Sequence, residues 1–410
     1  MTTDVIIIGA GIMGLSTAYQ LARRSNLNIL ILEKGRSLGE GSTGASSAIC
    51  RHRYSQDNMI ELARDGILAY QNWSDFTGLS KPQAQFHDDG VIWINDSGGA
   101  WAHRERDRLH SMSIGAEVLS SLDIHEHFPA LNTCLTPPNL QTGETHDCGD
   151  GGDFLFETDG GYFEPVDALT DLAEAASRDG VTLRYSTRIA RLITESGRTI
   201  GVELDNREQL HSGCVINTAG PWCNEILEPI GLADHWPLKP TRIQMIHINR
   251  PKEVIGKIPV CCDLVGGIYF REQNQGQQIV VGSAREEDER EVVNPSDYND
   301  WVDDNFKAVQ LHGLQHRIPA LTENTRVMGY TGLYTVNQRD VHPVVGSTGI
   351  DGFYVANGFS GHGFKIGPAI GSLLAQQITG TTRDFDTDVD PAFLAFDRKP
   401  LTVDVQNVMA

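Results

Sequence analysis

A short apolar strand that runs directly into a glycine-rich loop constrains the fold of this chain more than any other feature. Residues 4–8 (DVIII) are mostly β-branched, which predicts a strand buried on both faces, as strands of parallel sheets are. Glycines follow at once in the spacing G-x-G-x-x-G, and residues 12–24 carry apolar side chains at helical intervals. Residues 28–33 (NILILE) predict a second strand, so the opening unit is β-α-β.

The three glycines of this loop match the requirements of a dinucleotide phosphate site. Gly9 permits the tight turn, Gly11 lets the backbone approach a pyrophosphate, and Gly14 lets the helix pack closely on the strand. The helix N-terminus offers free N–H groups to the phosphates. Glu33, nineteen residues after Gly14, is expected to accept hydrogen bonds from ribose hydroxyls. Glycines that serve only a tight turn are the alternative interpretation, and FAD and NAD share this fingerprint.

A second strand, glycine loop and helix near the C-terminus distinguishes the two cofactors. Residues 353–356 predict the strand and residues 358–368 (GFSGHGFKIGP) the loop, followed by a helix whose first turn is expected to include Pro368. One nucleotide does not need two such loops at opposite ends of a chain. A flavin does, because its pyrimidine edge gathers negative charge on reduction and a helix N-terminus stabilises that charge. We therefore expect FAD.

Length and charge limit what else the chain can be. At 410 residues it exceeds the roughly 100–200 residues typical of one domain, so at least two domains are expected. The formal net charge of −21 argues against a nucleic-acid partner and against an anionic membrane surface. A small anionic substrate remains compatible, because a few cations in a cleft set the local potential.

The cysteines and the apolar runs suggest neither a metal nor a membrane. The seven cysteines are odd in number and none follows C-x-x-C spacing, so we predict no disulfide framework, no zinc site and no other metal site. No apolar run approaches the roughly 18 residues that a membrane span needs. Met1 is followed almost at once by the first strand, without the pattern of a signal peptide, so we predict a cytoplasmic location.

The remaining pattern predicts an α/β fold in which a Rossmann-like FAD-binding domain is interleaved with an α+β substrate domain built on an antiparallel sheet. The FAD-binding domain is expected in residues 1–80, 155–225 and 335–385, the substrate domain in residues 81–154 and 226–334, and a C-terminal segment in residues 386–410. The candidate strands of the antiparallel sheet include residues 243–248, 267–271 and 278–282. The charge run at residues 285–291 (REEDERE) is more typical of a solvated turn than of a binding site.

Three segments resemble the FAD-dependent amine and amino-acid oxidoreductases, the family typified by D-amino-acid oxidase, glycine oxidase and sarcosine oxidase. They are residues 5–33, the strand ending NTAGPW at 217–222, and the loop at 358–368, and the resemblance covers nearly the whole chain in order. The last segment is the most specific, and it is similar to the branch of sarcosine oxidase and glycine oxidase. The resemblance implies that the cofactor is bound by Gly9, Gly11, Ile12, Met13, Gly14, Glu33, Lys34, Ser42, Ala45, Ser46, Ser47, Ile189, Ala219, Gly220, Trp222, Gly358, Gly361, His362, Gly363, Phe364 and Lys365.

The resemblance also assigns residues to the substrate. Arg51, in the stretch ICRHRY, falls in the place of an arginine that binds the substrate carboxylate, and Lys365 falls on a second carboxylate-binding cation. The pairing is chemically sound because Arg offers a planar fork and Lys adds a point charge, although a surface arginine is the alternative for Arg51. His362 stands between two glycines, so its backbone is expected near the flavin, and a role as catalytic base is less favoured. Tyr269 is expected to form a wall of the pocket, although an aromatic residue on a strand is more often only packing.

Two departures from the sarcosine-oxidase pattern modify this expectation. The cysteine of the covalent flavin link would fall near Gly332, where none occurs, so FAD is expected to be held noncovalently. The lysine that speeds the reaction with oxygen would fall near Val280. Without a cation there, a dehydrogenase or a slow oxidase is favoured.

We therefore predict oxidation of a secondary or N-alkyl amino acid, such as sarcosine, to an imine by hydride transfer to flavin N5, followed by hydrolysis. Oxygen, an electron-carrier protein or a quinone would accept the electrons, and an oligomer is compatible with the sequence. One alternative is an FAD-dependent 2-hydroxy-acid dehydrogenase, which would need His52 or His362 to remove the O–H proton. The other is a flavin-bearing subunit or assembly factor of a larger complex, with little activity of its own.

Overall fold

The computed structural model describes residues 3–322, 325–403 and 408–409. Its strands are β1 (Val5–Ile8), β2 (Ile29–Leu32), β3 (Ile49–Cys50), β4 (Val91–Ile94), β5 (Ala116–Ser120), β6 (Asp153–Glu157), β7 (Gly161–Tyr162), β8 (Thr182–Arg184), β9 (Ile189–Glu195), β10 (Arg198–Leu204), β11 (Gln209–His211), β12 (Cys214–Asn217), β13 (Leu238–Asn249), β14 (Val260–Asp263), β15 (Ile268–Gln273), β16 (Gln278–Ser283), β17 (Val327–Asn337), β18 (Val344–Ser347) and β19 (Phe353–Asn357). Its α-helices are α1 (Ile12–Ala22), α2 (Asp57–Gln71), α3 (Trp73–Thr77), α4 (Gly99–Ser111), α5 (Ser121–His127), α6 (Pro165–Arg178), α7 (Cys223–Leu227), α8 (Asp304–Arg317) and α9 (Gly363–Thr379).

A six-stranded sheet with the order β18-β19-β12-β1-β2-β8 carries the predicted β-α-β unit. Its pairs are parallel except for the antiparallel pair of β18 and β19. Val5 and Ile7 face the core that contains α1 and α9, whereas Ile6 and Ile8 face the core beside α7 and the small sheet β11-β10-β9. Both faces of β1 are therefore buried, which is why its sequence is continuously apolar. The predicted Rossmann-like sheet is confirmed.

The carboxyl edge of this sheet contains its topological switch point. Ile8 pairs with Leu32 on one side and with Asn217 on the other, so the chain leaves β1, β2 and β12 at the same edge. From β1 the chain continues through α1 to β2, which lies on one side of β1 in the sheet. The strand on the other side, β12, comes from a distant part of the sequence. Ligands of open parallel sheets bind at such a point.

Helices α1 and α9 lie parallel and in close contact, so both begin near this edge. A Cβ on Gly367 would lie 2.7 Å from an Ile12 side-chain carbon, and a Cβ on Gly371 would lie 2.7 Å from the Ser16 backbone. Only glycine permits so short an approach of the two helices.

Pro368 is the sixth residue of α9, so the prediction that it lies in the first turn is wrong. A proline has no N–H to donate to the carbonyl four residues earlier, which here belongs to Phe364. The Tyr70 hydroxyl donates to that carbonyl at 2.7 Å instead. The glycine loop is therefore shorter than predicted, and its last residues form the start of α9.

An eight-stranded sheet with the order β17-β13-β16-β15-β14-β4-β6-β5 forms the second layer. Its neighbours are antiparallel, as predicted, except for the parallel pair of β14 and β4. One face packs against α5 and α8. The three candidate strands lie in β13, β15 and β16. Strands β6 and β17 each cross a predicted domain boundary, and the division into domains stays a prediction.

Two surface features complete the fold. Within the described ranges, no helix has both the length and the apolar character needed to cross a membrane. The charge run at 285–291 contains a short 3-10 turn, Glu286–Glu289, in which Glu286 and Glu287 are exposed as expected of a solvated turn. Glu289 departs from that interpretation, because its carboxylate accepts a hydrogen bond from the Val408 N–H at 3.1 Å.

Candidate active site

A cavity of about 470 Å³ lies at the carboxyl edge of the six-stranded sheet. Gly9 and Gly11 of the first glycine loop line it, and so do Gly361 and Gly363 of the second. One cavity therefore reaches both loops, and the N-termini of α1 and α9 adjoin it. The positive ends of two helix dipoles favour a ligand with negative charge at two separate places.

The first loop is shaped by its own backbone. Gly9 has φ +100°, in the left-handed region that favours glycine. A Cβ on Gly14 would lie 1.9 Å from the Gly9 carbonyl oxygen, so this glycine is required by packing alone. A Cβ on Gly11 would meet only the Thr43 hydroxyl, at 3.3 Å, and Gly11 lines the cavity. Gly11 therefore leaves the backbone open towards a ligand, as a pyrophosphate site requires.

Glu33 joins the ends of β1 and β2. Its carboxylate accepts hydrogen bonds from the N–H groups of Ala10 and Gly35, each at 2.7 Å. Each oxygen retains a lone pair that a ribose hydroxyl could use. Next to it, the Lys34 ammonium lies 3.0 Å from the centroid of the Trp222 ring, and burial lowers the pKa of Lys34 to about 8.

A second cavity of about 30 Å³ adjoins the first. Tyr334 and Phe364 are among the residues that line both, so the two spaces meet along this boundary. Arg51, Lys365 and Tyr269, all predicted to contact the substrate, line the second cavity. The structure thus brings together three residues that are far apart in the sequence.

Local packing holds the two cations in place. Arg51 follows β3, which pairs with β7, and Lys365 is the third residue of α9. Helix α2 presses on the first turn of α9 at Gly66, where a Cβ would lie 2.2 Å from the Lys365 carbonyl oxygen. A larger residue at position 66 would therefore move Lys365.

The Arg51 guanidinium is buried but has no acidic partner among the described residues. It lies 4.2 Å from the centroid of the Tyr54 ring and 5.3 Å from that of Trp93. It donates hydrogen bonds to the carbonyl of Arg53 and, at 2.6 Å, to the carbonyl of Val408. The guanidinium N–H groups thus donate only to neutral backbone oxygens. A carboxylate could replace these acceptors and would form stronger, charge-assisted hydrogen bonds.

Lys365 is also buried and has no hydrogen-bond or ion-pair partner in the described part of the chain. Burial, together with the charge of Arg51, lowers the pKa of Lys365 to about 7. Two neighbouring cations that form no ion pair with any described residue favour the binding of an anionic ligand between them.

His52 does not reach either cavity. Its Nδ1 lies 3.1 Å from the Glu157 carboxylate, and its backbone N–H donates to the same oxygen at 2.6 Å. The other carboxylate oxygen accepts from the Trp93 indole at 2.7 Å. Burial acts to raise the pKa of Glu157, but the hydrogen bonds and charge of His52 lower it overall. This network fixes the shape of the chain around Arg51.

The His362 side chain is fully buried and lines neither cavity. Its ring packs against Tyr54 and His342, at centroid distances of 5.3 Å and 6.0 Å. Neither ring nitrogen has a hydrogen-bond partner among the described residues, and burial lowers the pKa of His362 well below its usual value. The glycines on both sides of His362 line the first cavity, so its backbone lies there while its ring points away.

The predicted cofactor residues divide into three groups. Those that line the first cavity are Gly9, Gly11, Ile12, Met13, Glu33, Lys34, Ser42, Ser46, Ile189, Ala219, Gly220, Trp222, Gly361, Gly363 and Phe364. Ser47 and Lys365 line the second cavity. Those that line neither are Gly14, Ala45, Gly358 and His362. Gly14 acts through packing, as its place in the motif predicts.

Sequence reasoning missed several residues of the site. Tyr334 lines both cavities, and the alternation of side chains along β17 was the signal that could have found it. Glu157 ends an apolar strand, where a buried carboxylate needs partners. Glu289 was assigned to the solvated turn, yet burial raises its pKa to about 8. Nothing local marks Val408, which contacts Arg51 through its backbone.

Neither position at which the sequence departs from the sarcosine-oxidase pattern lines a cavity. A Cβ on Gly332 would lie 2.8 Å from the Ala45 side chain, and no cysteine is among the described residues that line the first cavity. Val280 is buried and pairs with Arg271 on the neighbouring strand. Arg271 is a buried cation that donates to the carbonyl of Ser47. Noncovalent binding of the cofactor stays a prediction.

The fold and the two adjoining cavities are typical of a two-domain oxidoreductase that holds a dinucleotide cofactor beside a small substrate pocket. The family model described as FAD dependent oxidoreductase (DAO) matches residues 4–377, and the chain belongs to this family. It is thus an FAD-dependent oxidoreductase, and its relatives include amino-acid oxidases and dehydrogenases. The expected family and cofactor are confirmed.

Individual relatives agree with this placement. Peroxisomal sarcosine oxidase of Mus musculus is 24% identical over 90% of this chain and 90% of its own length. Mitochondrial dimethylglycine dehydrogenase of Rattus norvegicus is 25% identical over 95% of this chain, which spans 44% of that protein. The crystal structure of L-proline dehydrogenase from P. horikoshii has a TM-score of 0.81 at 21% identity and covers 96% of this chain and 97% of its own. The relatives differ in compartment by name, so a cytoplasmic location stays a prediction.

Proposed function

We propose that this protein oxidises a small secondary or N-alkyl amino acid, such as sarcosine, at a carbon bonded to nitrogen. The observation that carries the proposal is the pair of buried cations, Arg51 and Lys365, that line the small cavity directly beside the large one. A pocket of this size and charge suits a compact carboxylate. The names of the relatives, which include sarcosine, dimethylglycine and proline, support the same substrate class.

The side chains of the second cavity bind and orient such a substrate. Arg51 would exchange the Val408 carbonyl for the substrate carboxylate, and Lys365 would add its charge. Tyr269 and Tyr334 would form the wall that excludes water and limits substrate size. Bound FAD would accept the hydride equivalent from the substrate carbon, giving an imine that hydrolyses in water. Fixing the substrate in one orientation is the main task of the protein.

The residues around the first cavity fit FAD. Gly11 leaves its backbone open, Glu33 keeps acceptor capacity for a ribose, and the α9 N-terminus adjoins the same space. We propose that the residues lining this cavity hold the cofactor noncovalently, in the roles that the motif gives them.

The proposal is tested by mixing the holoenzyme anaerobically with sarcosine, N,N-dimethylglycine, proline, glycine and 2-hydroxy acids. At least one N-substituted amino acid is expected to bleach the flavin absorbance, and the hydroxy acids are not. Admission of oxygen, a quinone or an electron-carrier protein afterwards identifies the acceptor. Absence of bleaching by every amine would contradict the proposal.

The geometry disfavours the hydroxy-acid alternative. That reaction needs a base for the O–H proton, but His52 is bound to Glu157 and the His362 ring lines neither cavity. A flavin-bearing subunit of a larger complex is a separate alternative. Size-exclusion chromatography of a native extract distinguishes it, since a single peak near the 45.0 kDa chain or a small oligomer would count against it.

Carboxylate binding is expected to weaken as the pH rises from 6 to 9. Lys365, with a pKa near 7, is charged below that pH and loses its proton above it, while the ligand carboxylate stays ionised throughout. Since one proton is linked to binding, Kd should rise by at most about tenfold per pH unit. The measurement is a titration of the holoenzyme with methoxyacetate, an isostere of sarcosine, followed by the flavin spectrum.

The matched control for this pH dependence is Lys365→Met, which is expected to bind methoxyacetate weakly and with no pH dependence in the same range. A bound carboxylate should raise the pKa of Lys365, because an opposite charge favours the protonated form. Tighter binding at high pH in the unmodified protein would contradict the assignment of Lys365.

A further inference from the structure

Four potential metal ligands meet on the substrate-domain side of the molecule, among residues that line neither cavity. They are Cys134, His146, Cys148 and His316. Each offers one ligand atom, and these atoms all lie within 4.8 Å of one another. The His146 Nε2 is 3.4 Å from the Cys134 sulfur and 3.6 Å from the Cys148 sulfur.

These two ligand–ligand distances are close to those expected between the ligands of a tetrahedral zinc ion. With Zn–S distances of about 2.3 Å and Zn–N distances of about 2.0–2.1 Å, tetrahedral ligands stand about 3.3–3.8 Å apart. The two measured Sγ–Nε2 distances fall in that range, and the 4.8 Å limit on the other separations means that any shift needed to enclose an ion is about 1 Å or less.

The backbone places Cys134 beside His316 through bonds that do not involve the cluster. The Asn132 N–H donates to the Arg317 carbonyl at 2.8 Å, and the Asn132 side chain donates to the His316 carbonyl at 2.9 Å. Arg317 in turn donates to the Cys134 carbonyl at 3.2 Å and pairs with the buried Asp263 at 2.8 Å. The end of α8 is thus a fixed platform for this part of the loop.

The loop that carries three of the ligands is long and irregular, and a hydrogen bond of 3.0 Å from the Thr133 hydroxyl to the Asp150 carboxylate already joins its two ends. Between α5 and β6, residues 128–152 form neither helix nor strand. Connections longer than about 12–15 residues without secondary structure are uncommon in compact proteins and are usually either functional or disordered, and a bound ion is one way to order such a loop. His146 and Cys148 belong to the far part of this loop, so a bound ion would tie it to Cys134 and α8.

The His316 ring provides an independent indication of a ligand. Both of its nitrogens are buried, and neither has a hydrogen-bond partner among the described residues. A buried polar atom without a partner destabilises the folded state, because it has lost its hydrogen bonds to water. The ring lies 5.3 Å from the His146 ring, centroid to centroid, so it belongs to the same cluster.

We propose that these four side chains form a structural zinc site that fastens the loop to α8. Two thiolates and two imidazoles in a tetrahedral arrangement are a typical zinc ligand set. On binding, the two cysteines lose their protons to solvent, so the two thiolate charges balance the charge of Zn²⁺. All four protein ligands close the coordination sphere, which indicates a structural rather than a catalytic ion.

This proposal reverses the sequence-based expectation of no metal site. That expectation depended on C-x-x-C spacing, whereas Cys134 and Cys148 are fourteen positions apart and His316 lies on a distant helix. The cluster is separate from the cavities, so the zinc site does not depend on the proposed substrate.

The first test is the metal content of the holoenzyme purified without chelators, measured by inductively coupled plasma mass spectrometry. One zinc per chain is expected. Cys148→Ser and His316→Gln should each lower zinc affinity by more than about 100-fold, since even outer-shell partners contribute about 10–100-fold. Cys148 is exposed, so its replacement leaves the cores intact. Cys214→Ser and His312→Gln are the matched controls and should retain the zinc.

The second test uses the unmodified protein and so does not depend on the folding of a variant. Replacement of the ion by Co²⁺ should give the intense visible bands of a tetrahedral site and a sulfur-to-cobalt charge-transfer band, both absent in Cys148→Ser. A chelator should make residues 134–148 sensitive to protease while FAD content and turnover stay unchanged. A Co²⁺ spectrum without sulfur ligation, protein that neither carries nor takes up Zn²⁺, or a native Cys134–Cys148 disulfide found by alkylation mass spectrometry would overturn the proposal.

Discussion

Arg51→Ala is expected to reduce kcat/KM for the N-alkyl amino acid by about 30- to 4,000-fold. Truncation of one member of a buried, hydrogen-bonded charge pair costs about 2–5 kcal/mol, which corresponds to that range. The loss should fall mainly on KM and on methoxyacetate binding, because Arg51 holds the carboxylate and does not touch the reacting carbon. The measurement is steady-state kinetics with the best substrate of the panel, together with ligand titration.

The variant series separates binding from folding. Arg51→Lys keeps the charge but loses the planar fork, so it should recover only part of the loss. Arg64→Ala, at a partly exposed pair with Asp65, is the control and should behave like the unmodified protein. FAD content should remain unchanged in all three variants. An Arg51→Ala protein that retains kcat/KM within about threefold, well under 1 kcal/mol, would refute the assignment.

Arg51→Ala carries a second signature that a purely structural role would not produce. The charge of Arg51 lowers the pKa of Lys365 in the intact protein, after the larger effect of burial. Its removal should therefore move the pH dependence of methoxyacetate binding to higher pH. An unchanged pH profile would show that the charge of Arg51 does not act on Lys365, which contradicts their placement in one cavity.

Gly14→Ala is expected to abolish FAD binding and to destabilise the protein even without cofactor. The new Cβ would lie 1.9 Å from the Gly9 carbonyl oxygen, and neither backbone segment can move without displacing α1 or β1. Overpacking of this kind costs about 1–3 kcal/mol or more. The measurements are thermal unfolding of the apoprotein and the fluorescence of added FAD.

Gly11→Ala is the matched comparison, because its Cβ would meet only the Thr43 hydroxyl at 3.3 Å. The apoprotein should unfold close to the normal temperature, while FAD Kd rises by about 5- to 150-fold if the methyl group costs about 1–3 kcal/mol against the ligand. Equal effects of the two variants on apoprotein stability would contradict the separate roles of these glycines.

Much of the fold could be predicted because its signals are local. The apolar run of β1, the spacing of Gly9, Gly11 and Gly14, and the helical pattern of α1 are fixed by backbone sterics and by burial on both faces of a parallel strand. The predicted start of α9 is too far along the chain. The helix can include Pro368 in its interior because a remote hydroxyl, that of Tyr70, donates to the carbonyl that the proline leaves free, and no local pattern shows this contact.

The candidate site was predicted in part, through resemblance rather than through local pattern. Arg51 and Lys365 were named from their motifs, and the structure brings them to one cavity. His52 and His362 are the less favoured candidates, as possible bases for a hydroxy acid, and in the structure one is bound to Glu157 while the ring of the other points away. Nothing local shows which way these side chains face, although all four are buried, so only packing distinguishes a side chain that lines a cavity from one that does not.

The sequence by itself determined that a dinucleotide is bound and where the backbone must be glycine, because these depend on atoms a few positions apart. The tertiary structure alone decided which side chains share a cavity and which share the proposed zinc site. It also decided which cations lack an acidic partner and how burial moves the pKa of Lys365. Contacts of that kind join segments that are distant in the chain, such as Arg51 with Val408 and Cys134 with His316. Their strength depends on burial and distance, which no local pattern records.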